Sequence, residues 1–325
     1  MESVLELKGK LQNVYAQYST YIDKVVRFVL AFVAFFMINR EIGYMHMLAN
    51  PVVALGLAVI CAFLPPIFTL VAGAVLTMAH VYSVSLGMLI VTALLFVIMY
   101  VFYLRFAPKT AIVILVVVTA YIAKVPAAAL VALGLLGTPA YAVPAALGTI
   151  AYYMIHQVKK SAAAIQAAKS SSFVNDMIKF AKQAVSSKEM WLMVIAGIIC
   201  IILVYTIRRA AMAHAWKAAS VAGALAYLIV ATAGGSVLSV KTSTTTLFVG
   251  AVVAVVTGLV LEIIFFAVDY SKCESLQFED DEYYYYVKAV PKMAVAVPEK
   301  RVKRITTQRA NQNVRHSHGK GKTRK

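Results

Sequence analysis

The stretch that decides the fold runs from Pro51 to Phe106: PVVALGLAVICAFLPPIFTLVAGAVLTMAHVYSVSLGMLIVTALLFVIMYVFYLRF. It carries no formal charge before Arg105, and it is far too long for one transmembrane helix, since about 20 residues cross a bilayer. Pro65-Pro66 interrupts it because a proline ring cannot continue an α-helix, and a serine-containing turn offers a second, weaker break. The stretch therefore predicts three consecutive membrane helices, at 52–64, 66–83 and 85–104.

The composition of the whole chain supports the same conclusion. Of its 325 residues, 62% are hydrophobic and 14% are charged, whereas a soluble domain has about 45–50% apolar and about 25% charged residues. The mean hydropathy is +0.80. These values exclude an ordinary soluble enzyme and predict an all-α fold, a polytopic transmembrane helical bundle.

Prolines and small residues divide the remaining apolar sequence in the same way, which gives about ten spans with several proline-broken short helices. Segments 52–64 and 125–137 are short for an upright crossing and are either tilted, re-entrant or shielded by neighbours. We predict five regions along the chain: an amphipathic N-terminal helix at 1–24, a first membrane bundle at 25–157, a basic extramembrane loop or interfacial helix at 158–190, a second membrane bundle at 191–268 and an extramembrane tail at 269–325.

The first membrane bundle shows a repeated rhythm of apolar segments and breaks. Residues 51–105 and 108–157 each read as a short segment, a proline break, a second segment, a small-residue break and a longer span. Internal repeats with broken helices are common in secondary transporters. The sequence is thus compatible with an internal repeat, although any membrane sequence punctuated by proline shares this rhythm.

The basic charge predicts an orientation. The chain has 31 Lys and Arg residues against 14 Asp and Glu residues, a net charge of +17, and basic residues concentrate in cytoplasmic loops. Ten crossings with a cytoplasmic N-terminus place 22 basic residues inside and nine outside. We therefore predict cytoplasmic N- and C-termini, with the lysine-rich loop 158–190 as an exception; a re-entrant segment would move the tail outside.

Three ionisable residues are candidates for a substrate or ion pathway, because charge at bilayer depth is costly. Glu262 lies within VVAVVTGLVLEIIFFAVDY, where it is either a proton carrier or an acid near the membrane interface. Lys124 precedes Pro126 at a helix break, where it either contacts an anionic substrate or extends to the interface. His80 either relays protons or hydrogen-bonds a neighbouring helix.

A compact basic and aromatic patch follows the span at 191–207. Arg208, Arg209, Trp216 and Lys217 make up this patch at the membrane edge, where tryptophan is a typical interface residue. They are candidates for contact with the headgroups of anionic lipid. Anchoring of a cytoplasmic loop by positive charge explains the same residues.

No enzyme signature is present. The sequence has no GxSxG, HExxH, Walker-type GxxxxGK[ST] or CxxC motif. Cys61, Cys200 and Cys273 lie far apart, with no metal-ligand spacing. We expect no metal site and no cofactor, and an enzyme only as the remaining possibility of a membrane-embedded transferase that acts on lipid.

The tail contains the most distinctive motif, QFEDDEYYYYVKAVP at 277–291. Four acids precede four tyrosines, which are β-prone and amphipathic: Glu279, Asp280, Asp281, Glu282, Tyr283, Tyr284, Tyr285 and Tyr286. The segment is either a strand that docks on a cytoplasmic protein partner or part of a hairpin with MAVAVP as its second strand. The basic end at 300–325 fits anionic lipid, and it lacks the interleaved aromatics that nucleic-acid binding would favour.

Three stretches together resemble a family of uncharacterised multi-span membrane proteins from Gram-positive bacteria. They are NPVVALGLAVICAFLPP, VYTIRR followed by HAW, and above all FEDDEYYYYVKAVPK. The resemblance covers most of the chain and implies a bacterial plasma-membrane protein in which the acidic-tyrosine block is a shared feature. It implies no activity and no catalytic residue.

Two functional hypotheses follow from these features. The first is a transporter-like protein, or a permease subunit without its own ATPase, which would use the broken helices. The second is a membrane scaffold of cell-envelope assembly, which would recruit its partner through residues 277–291. Transport predicts that Glu262→Gln impairs function, whereas a scaffold tolerates that change and fails when the tyrosines are replaced.

Overall fold

The computed structural model describes residues 2–167, 173–210, 212, 214–240, 243–265, 274–279 and 283–289. It divides into two compact units, one of residues 13–266 and one of residues 1–12 and 267–325. The described chain is mostly helical and all-α apart from one β-hairpin. This confirms the predicted fold class in its coarse form.

Eleven α-helices and two strands are present in the described residues. The helices are α1 Glu2–Glu41, α2 Pro51–Phe63, α3 Pro66–Tyr82, α4 Leu86–Met99, α5 Ala111–Ile122, α6 Pro126–Leu136, α7 Ala142–Ala167, α8 Phe173–Val185, α9 Lys188–Arg208, α10 Ala215–Val237 and α11 Thr244–Phe265. A π-helical turn, Tyr100–Leu104, continues α4, and 3-10 turns at Pro108–Thr110 and Pro139–Tyr141 precede α5 and α7. The strands are β1 Glu274–Glu279 and β2 Tyr284–Ala289.

Proline sets the starts of the short helices, as the sequence predicted. Pro51, Pro66 and Pro126 each occupy the first helical position, where the missing N–H has no helical acceptor to lose. Before α2 the Asn50 side chain accepts a hydrogen bond from the Val52 amide at 3.0 Å, which caps the helix. The bounds of α2, α3 and α4 with its π turn agree with the predicted helices to within two residues.

The N-terminal helix is longer than predicted. The predicted amphipathic helix 1–24 and the first span form one helix, α1, in which only Tyr18 leaves helical geometry, at φ −120° and ψ 22°. Close to this kink, the Tyr15 hydroxyl donates to Asp23 Oδ1 at 3.0 Å. The two helical parts of α1 thus meet at Tyr18, six residues before the predicted boundary at residue 24.

Four stretches of the described chain are long and apolar enough to cross a membrane: Leu86–Leu104, Phe173–Arg208, Ala215–Val237 and Thr244–Phe265. The shorter apolar helices α2, α3, α5 and α6 have 13, 17, 12 and 11 residues. At 1.5 Å per residue they extend roughly 16–26 Å, which is less than the hydrocarbon core of about 30 Å. The apolar helices support a multi-pass membrane protein, and these lengths do not establish ten crossings.

The lysine-rich segment 158–190 is helical over most of its described part. Helix α7 runs on to Ala167, and α8 then packs on α4 and α7. Phe180 is buried among Val81, Met88 and Met154, and the Gln183 side chain accepts a hydrogen bond from the Ser161 hydroxyl at 3.3 Å. One face of α8 therefore packs on the protein's own helices.

Helices α5, α6, α7, α9, α10 and α11 pack through small residues. A Cβ added to Gly134 of α6 would lie 2.7 Å from Val204 Cβ of α9, and one added to Gly223 of α10 would lie 2.1 Å from Val204 Cγ2. Close helix approach at glycine is the usual contact in membrane bundles. We refer below to the end at which α9 begins as the Glu189 end and to the opposite end as the Arg208 end.

Candidate functional site

A cavity of about 340 Å³ lies at the Glu189 end because the hairpin of α5 and α6 is short. Helix α5 runs toward this end and α6 returns, with Lys124 in the turn between them. The Lys124 carbonyl oxygen is 3.8 Å from the Cβ position of Gly250, about 9 Å along α11 from its first residue, Thr244. The turn therefore stops short of the Glu189 end, and the cavity is the space between the turn and that end of the bundle.

Aromatic side chains form much of the cavity wall. One face of α7 contributes Tyr152, Tyr153 and His156, while Tyr121 comes from α5 and Tyr227 from α10. The ring centroids of Tyr152 lie 5.0 Å from Tyr121, 5.2 Å from Tyr153 and 5.8 Å from His156, at distances typical of favourable aromatic pairs. We call this cavity, with its four tyrosines, the tyrosine vestibule.

Two carboxylates lie at or beside the tyrosine vestibule, each near a lysine of α7. Glu189, which lines the cavity, accepts a hydrogen bond from the Tyr153 hydroxyl at 3.2 Å, and its other oxygen is 4.0 Å from Lys160 Nζ. Glu41, at the end of α1, is 3.2 Å from Lys159 Nζ. These pairs join α1 and α9 to the same face of α7 and place both signs of charge at this end.

Two buried polar atoms of the tyrosine vestibule have no hydrogen-bond partner among the described residues. They are the Tyr121 hydroxyl and Nδ1 of His156, and both residues line the cavity. His156 Nδ1 lies 3.8 Å from Glu41 Oε1, beyond hydrogen-bond distance. Because an unsatisfied buried polar atom is costly, these atoms are suited to bind a polar ligand or water in the cavity.

Lys124 is the predicted site residue that the structure places in the tyrosine vestibule. Its backbone adopts the left-handed conformation at φ 63°, which ends α5 and allows Pro126 to start α6. The side chain is exposed and lines the cavity. A left-handed non-glycine residue is uncommon and is associated with functional sites.

Glu262 lies far from this site. It is half-buried in the last turn of the described part of α11 and forms no hydrogen bond or ion pair with any described residue. Twelve residues separate it from Gly250 of the tyrosine vestibule, about 18 Å along the helix. The structure therefore does not bring Glu262 and Lys124 together.

His80 is fully buried and links three segments by hydrogen bonds. The Met45 amide donates to His80 Nδ1 at 3.1 Å, so Nε2 carries the proton and donates to Asn39 Oδ1 at 2.9 Å. The Asn39 amide group in turn donates to the Leu48 carbonyl at 2.8 Å. Both ring nitrogens are satisfied, which favours the predicted alternative of a helix-linking histidine over a proton relay.

Arg208 binds the end of a helix. Its guanidinium donates to the carbonyl oxygens of Leu135 and Gly137, the last carbonyls of α6 and its cap, and it lies 5.4 Å from the Tyr205 ring centroid and 5.9 Å from that of Trp216. A cation near these carbonyls stabilises the helix terminus. The guanidinium predicted to contact lipid headgroups is therefore engaged inside the protein.

The two other basic residues of that patch are exposed. The Arg209 guanidinium donates to the Tyr205 hydroxyl at 2.7 Å, one helical turn earlier, and Lys217 lies in the first turn of α10. Their exposure leaves the prediction of lipid contact open for these two residues.

The acidic-tyrosine block forms part of a hairpin. Tyr284–Ala289 pairs antiparallel with Glu274–Glu279, with Phe278 opposite Tyr285. The tyrosines at 283, 284, 285 and 286 are 45–80% exposed. Within the described residues, the strand that pairs with the tyrosines precedes them. Asp280, Asp281, Glu282 and the segment MAVAVP lie outside the described residues, as does the basic end at 300–325.

Sequence reasoning missed most of the tyrosine vestibule, because its residues lie far apart along the chain. A signal was nevertheless present in α7: the pair Tyr152-Tyr153, then His156, then Lys159-Lys160, at three- and four-residue spacings that place them on one helical face. Glu189 gave no such signal, because it follows a lysine-rich loop. Within the described ranges, no group of three His, Cys, Asp or Glu side chains is arranged to hold a metal ion.

Comparisons of the chain with protein-family models, with curated proteins and with solved structures find no match. The resemblance to the Gram-positive membrane family therefore stays a prediction.

Proposed function

We propose that this protein is a transporter-like membrane protein, or a permease subunit without its own ATPase, that binds a small polar solute in the tyrosine vestibule. The observation that carries the proposal is this cavity above a left-handed helix break, with Lys124, His156 and Glu189 among its lining residues. Sites formed at broken helices are a recurring feature of secondary transporters.

The charges around the cavity suggest the class of solute. Lys124 offers an ammonium group on the turn, while Glu189 offers a carboxylate from the first turn of α9. The tyrosine rings add apolar faces, and the unpaired Tyr121 hydroxyl adds a hydrogen-bonding group. A solute that carries both charges, such as an amino acid, has groups complementary to all three.

We further propose ten crossings with both termini in the cytoplasm of a bacterium. This proposal is supported by the alternation of helix ends: α5 reaches the Glu189 end, α6 returns to Arg208, and α9 runs parallel to α6. Helices α10 and α11 continue the alternation, with Gly234 near Leu192 and Gly250 near Lys124. In this orientation the tyrosine vestibule lies on the outer side; cysteine labelling from each side of intact cells tests it.

A thermal-shift screen of the detergent-solubilised full chain tests solute binding. The probes are alanine, glutamate, lysine, glucose and uridine, each at millimolar concentration. We expect alanine or another zwitterionic probe to raise the melting temperature, because a ligand that binds only the folded state stabilises it. Lys124→Gln and Tyr121→Phe should each weaken binding, so that at least a tenfold higher probe concentration is needed for the same shift.

Tyr82→Phe is the matched control, because Tyr82 is 63% exposed at the end of α3 and does not line the cavity. It should keep the full shift. The proposal is wrong if no probe stabilises the protein, or if Lys124→Gln and Tyr121→Phe respond to the same probe as strongly as Tyr82→Phe. Uptake of the stabilising solute into proteoliposomes then separates transport from binding alone.

A scaffold role is the second candidate, and the hairpin of β1 and β2 is the observation that favours it. Tyr284 and Tyr286 point to one face of the strand and Tyr283 and Tyr285 to the other, and all four are largely exposed. An in-cell crosslinking comparison of the native chain with Tyr284→Ser/Tyr286→Ser tests it. Loss of a specific crosslinked partner would support docking, and an unchanged set of partners would contradict it.

A further inference from the structure

A second cavity, of about 480 Å³, lies among α3, α4, α5 and α7. Its lining is apolar except for Thr77 and Tyr100. The Thr77 hydroxyl already donates to the Gly73 carbonyl at 2.8 Å, so the middle of the cavity offers no free polar group. We call this cavity the apolar crevice.

The apolar crevice extends over about half of a bilayer. Its lining runs from Ile67 to Met78 on α3 and from Ala93 to Leu104 on α4 and its π turn, about 17 Å on each helix. The hydrocarbon core of a bilayer is about 30 Å thick. The crevice begins at the Arg208 end, because the opposite end of α3 carries His80, which is bonded to Asn39 near the Glu41 end of α1. Its length of about 17 Å corresponds to one leaflet.

The apolar crevice is open toward the side of the helix bundle. Among its lining residues, Phe68 is 50% exposed, Val75 is 53% exposed and Val97 is 57% exposed. In a membrane these side chains meet lipid chains rather than water. A bilayer lipid can thus enter the crevice laterally without crossing a polar barrier.

Two cations lie at the Arg208 end of the apolar crevice. Arg105 directly follows Leu104, and Lys109 lies in the 3-10 turn that packs on α3. Both are exposed, and neither forms a hydrogen bond through its side chain or an ion pair with a described residue. The sequence contains no Asp or Glu between residues 42 and 175, so no acid of this segment neutralises them.

We propose that the apolar crevice holds an acyl chain of an anionic phospholipid whose phosphate binds Arg105 and Lys109. Charge complementarity selects the headgroup, since basic pockets between membrane helices bind anionic headgroups. The length of one leaflet and the apolar lining match a lipid acyl chain. The site is separate from the tyrosine vestibule, with which it shares no lining residue.

Native mass spectrometry of the detergent-purified full chain tests this proposal, with dioleoyl phosphatidylglycerol and dioleoyl phosphatidylcholine as probes. We expect the native protein to prefer the anionic lipid at least tenfold. Arg105→Gln/Lys109→Gln should abolish that preference while phosphatidylcholine binding stays the same. Ala93→Phe, which fills the crevice without changing charge, should weaken the binding of both lipids.

Lys179→Gln/Lys182→Gln is the matched control, because it removes two exposed basic residues of α8 that line neither cavity and leaves the apolar crevice intact. It should keep the preference for phosphatidylglycerol. If Arg105→Gln/Lys109→Gln retains the preference, or if the control loses it to the same extent, the lipid site lies elsewhere and the proposal is wrong. An Ala93→Phe variant that folds, by circular dichroism, and binds both lipids normally would also contradict it.

Discussion

The two halves of residues 13–266 pack their helices differently. Helices α5–α7 and α9–α11 approach each other at glycines and enclose a tyrosine-lined cavity with charged groups at its edge. Helices α1–α4 expose many large apolar side chains and border an apolar crevice that is open at its side. The first arrangement suits a polar solute, whereas the second suits a lipid chain.

Two glycines, one from each half, illustrate this difference. Gly134 of α6 faces the Cβ of Val204, whereas nothing lies within 4 Å of a Cβ added to Gly56 of α2. Glycine is therefore a packing requirement at position 134 and is sterically free at position 56, while Gly87 of α4 also meets a neighbouring helix, with its Cβ position 3.1 Å from the Phe173 carbonyl oxygen. Substitutions at these two positions test the difference directly.

The largest expected effect is that of Gly134→Leu. The new side chain would collide with Val204 and the Ile201 carbonyl, and overpacking costs typically 1–3 kcal/mol and occasionally more. We expect a loss of about 3 kcal/mol in the free energy of unfolding, measured by denaturant titration in detergent. Gly56→Leu is the control and should leave stability within about 0.5 kcal/mol; equal losses in both variants would remove the distinction between the halves.

Arg208→Met should have the next largest effect. It leaves the carbonyls of Leu135 and Gly137 without their charged donor, and hydrogen bonds to charged groups contribute about 1.5–3 kcal/mol. We expect a loss of about 2 kcal/mol by the same titration. Arg209→Gln removes a guanidinium that reaches only Tyr205 and should cost less than about 0.5 kcal/mol. If Arg209→Gln instead cost more stability than Arg208→Met, the stability of α6 would not depend on this contact.

The His80 and Asn39 pair tests a buried polar link in the half formed by α1–α4. Each single substitution, His80→Ala or Asn39→Ala, leaves a buried partner unsatisfied, at a cost of about 1–3 kcal/mol. The double variant should lose less than the sum, with a coupling of about 1 kcal/mol. Strict additivity would show that the hydrogen bond contributes nothing to stability.

The smallest effect is expected for Glu262→Gln. Because Glu262 forms no ion pair or hydrogen bond among the described residues, stability should change by less than about 0.5 kcal/mol. Uptake of the solute identified by thermal shift should also stay near its native rate, since Glu262 lies far from the tyrosine vestibule. A loss of uptake without a loss of binding would instead restore the predicted proton-carrier role of Glu262.

Local sequence predicted much of the fold and little of the site. Proline and apolar periodicity act over a few residues, so the bounds of α2 and α3 were predictable. The kink of α1 at Tyr18 was not, because the change in polarity that suggests a boundary lies near residue 24, where the backbone stays helical. The contact of Tyr121 with Tyr152, and that of Tyr153 with Glu189, depend on how helices pack over separations of more than 30 residues.

The spacing of three helices depends on one isopropyl group. Val204 of α9 is fully buried, and its side chain occupies the space next to both Gly134 on α6 and Gly223 on α10, where a Cβ would otherwise lie. A methyl group added at either glycine therefore needs a smaller residue at position 204. Viable variants of this bundle should change these positions together, so that Gly134→Ala is rescued by Val204→Ala although each change alone is harmful.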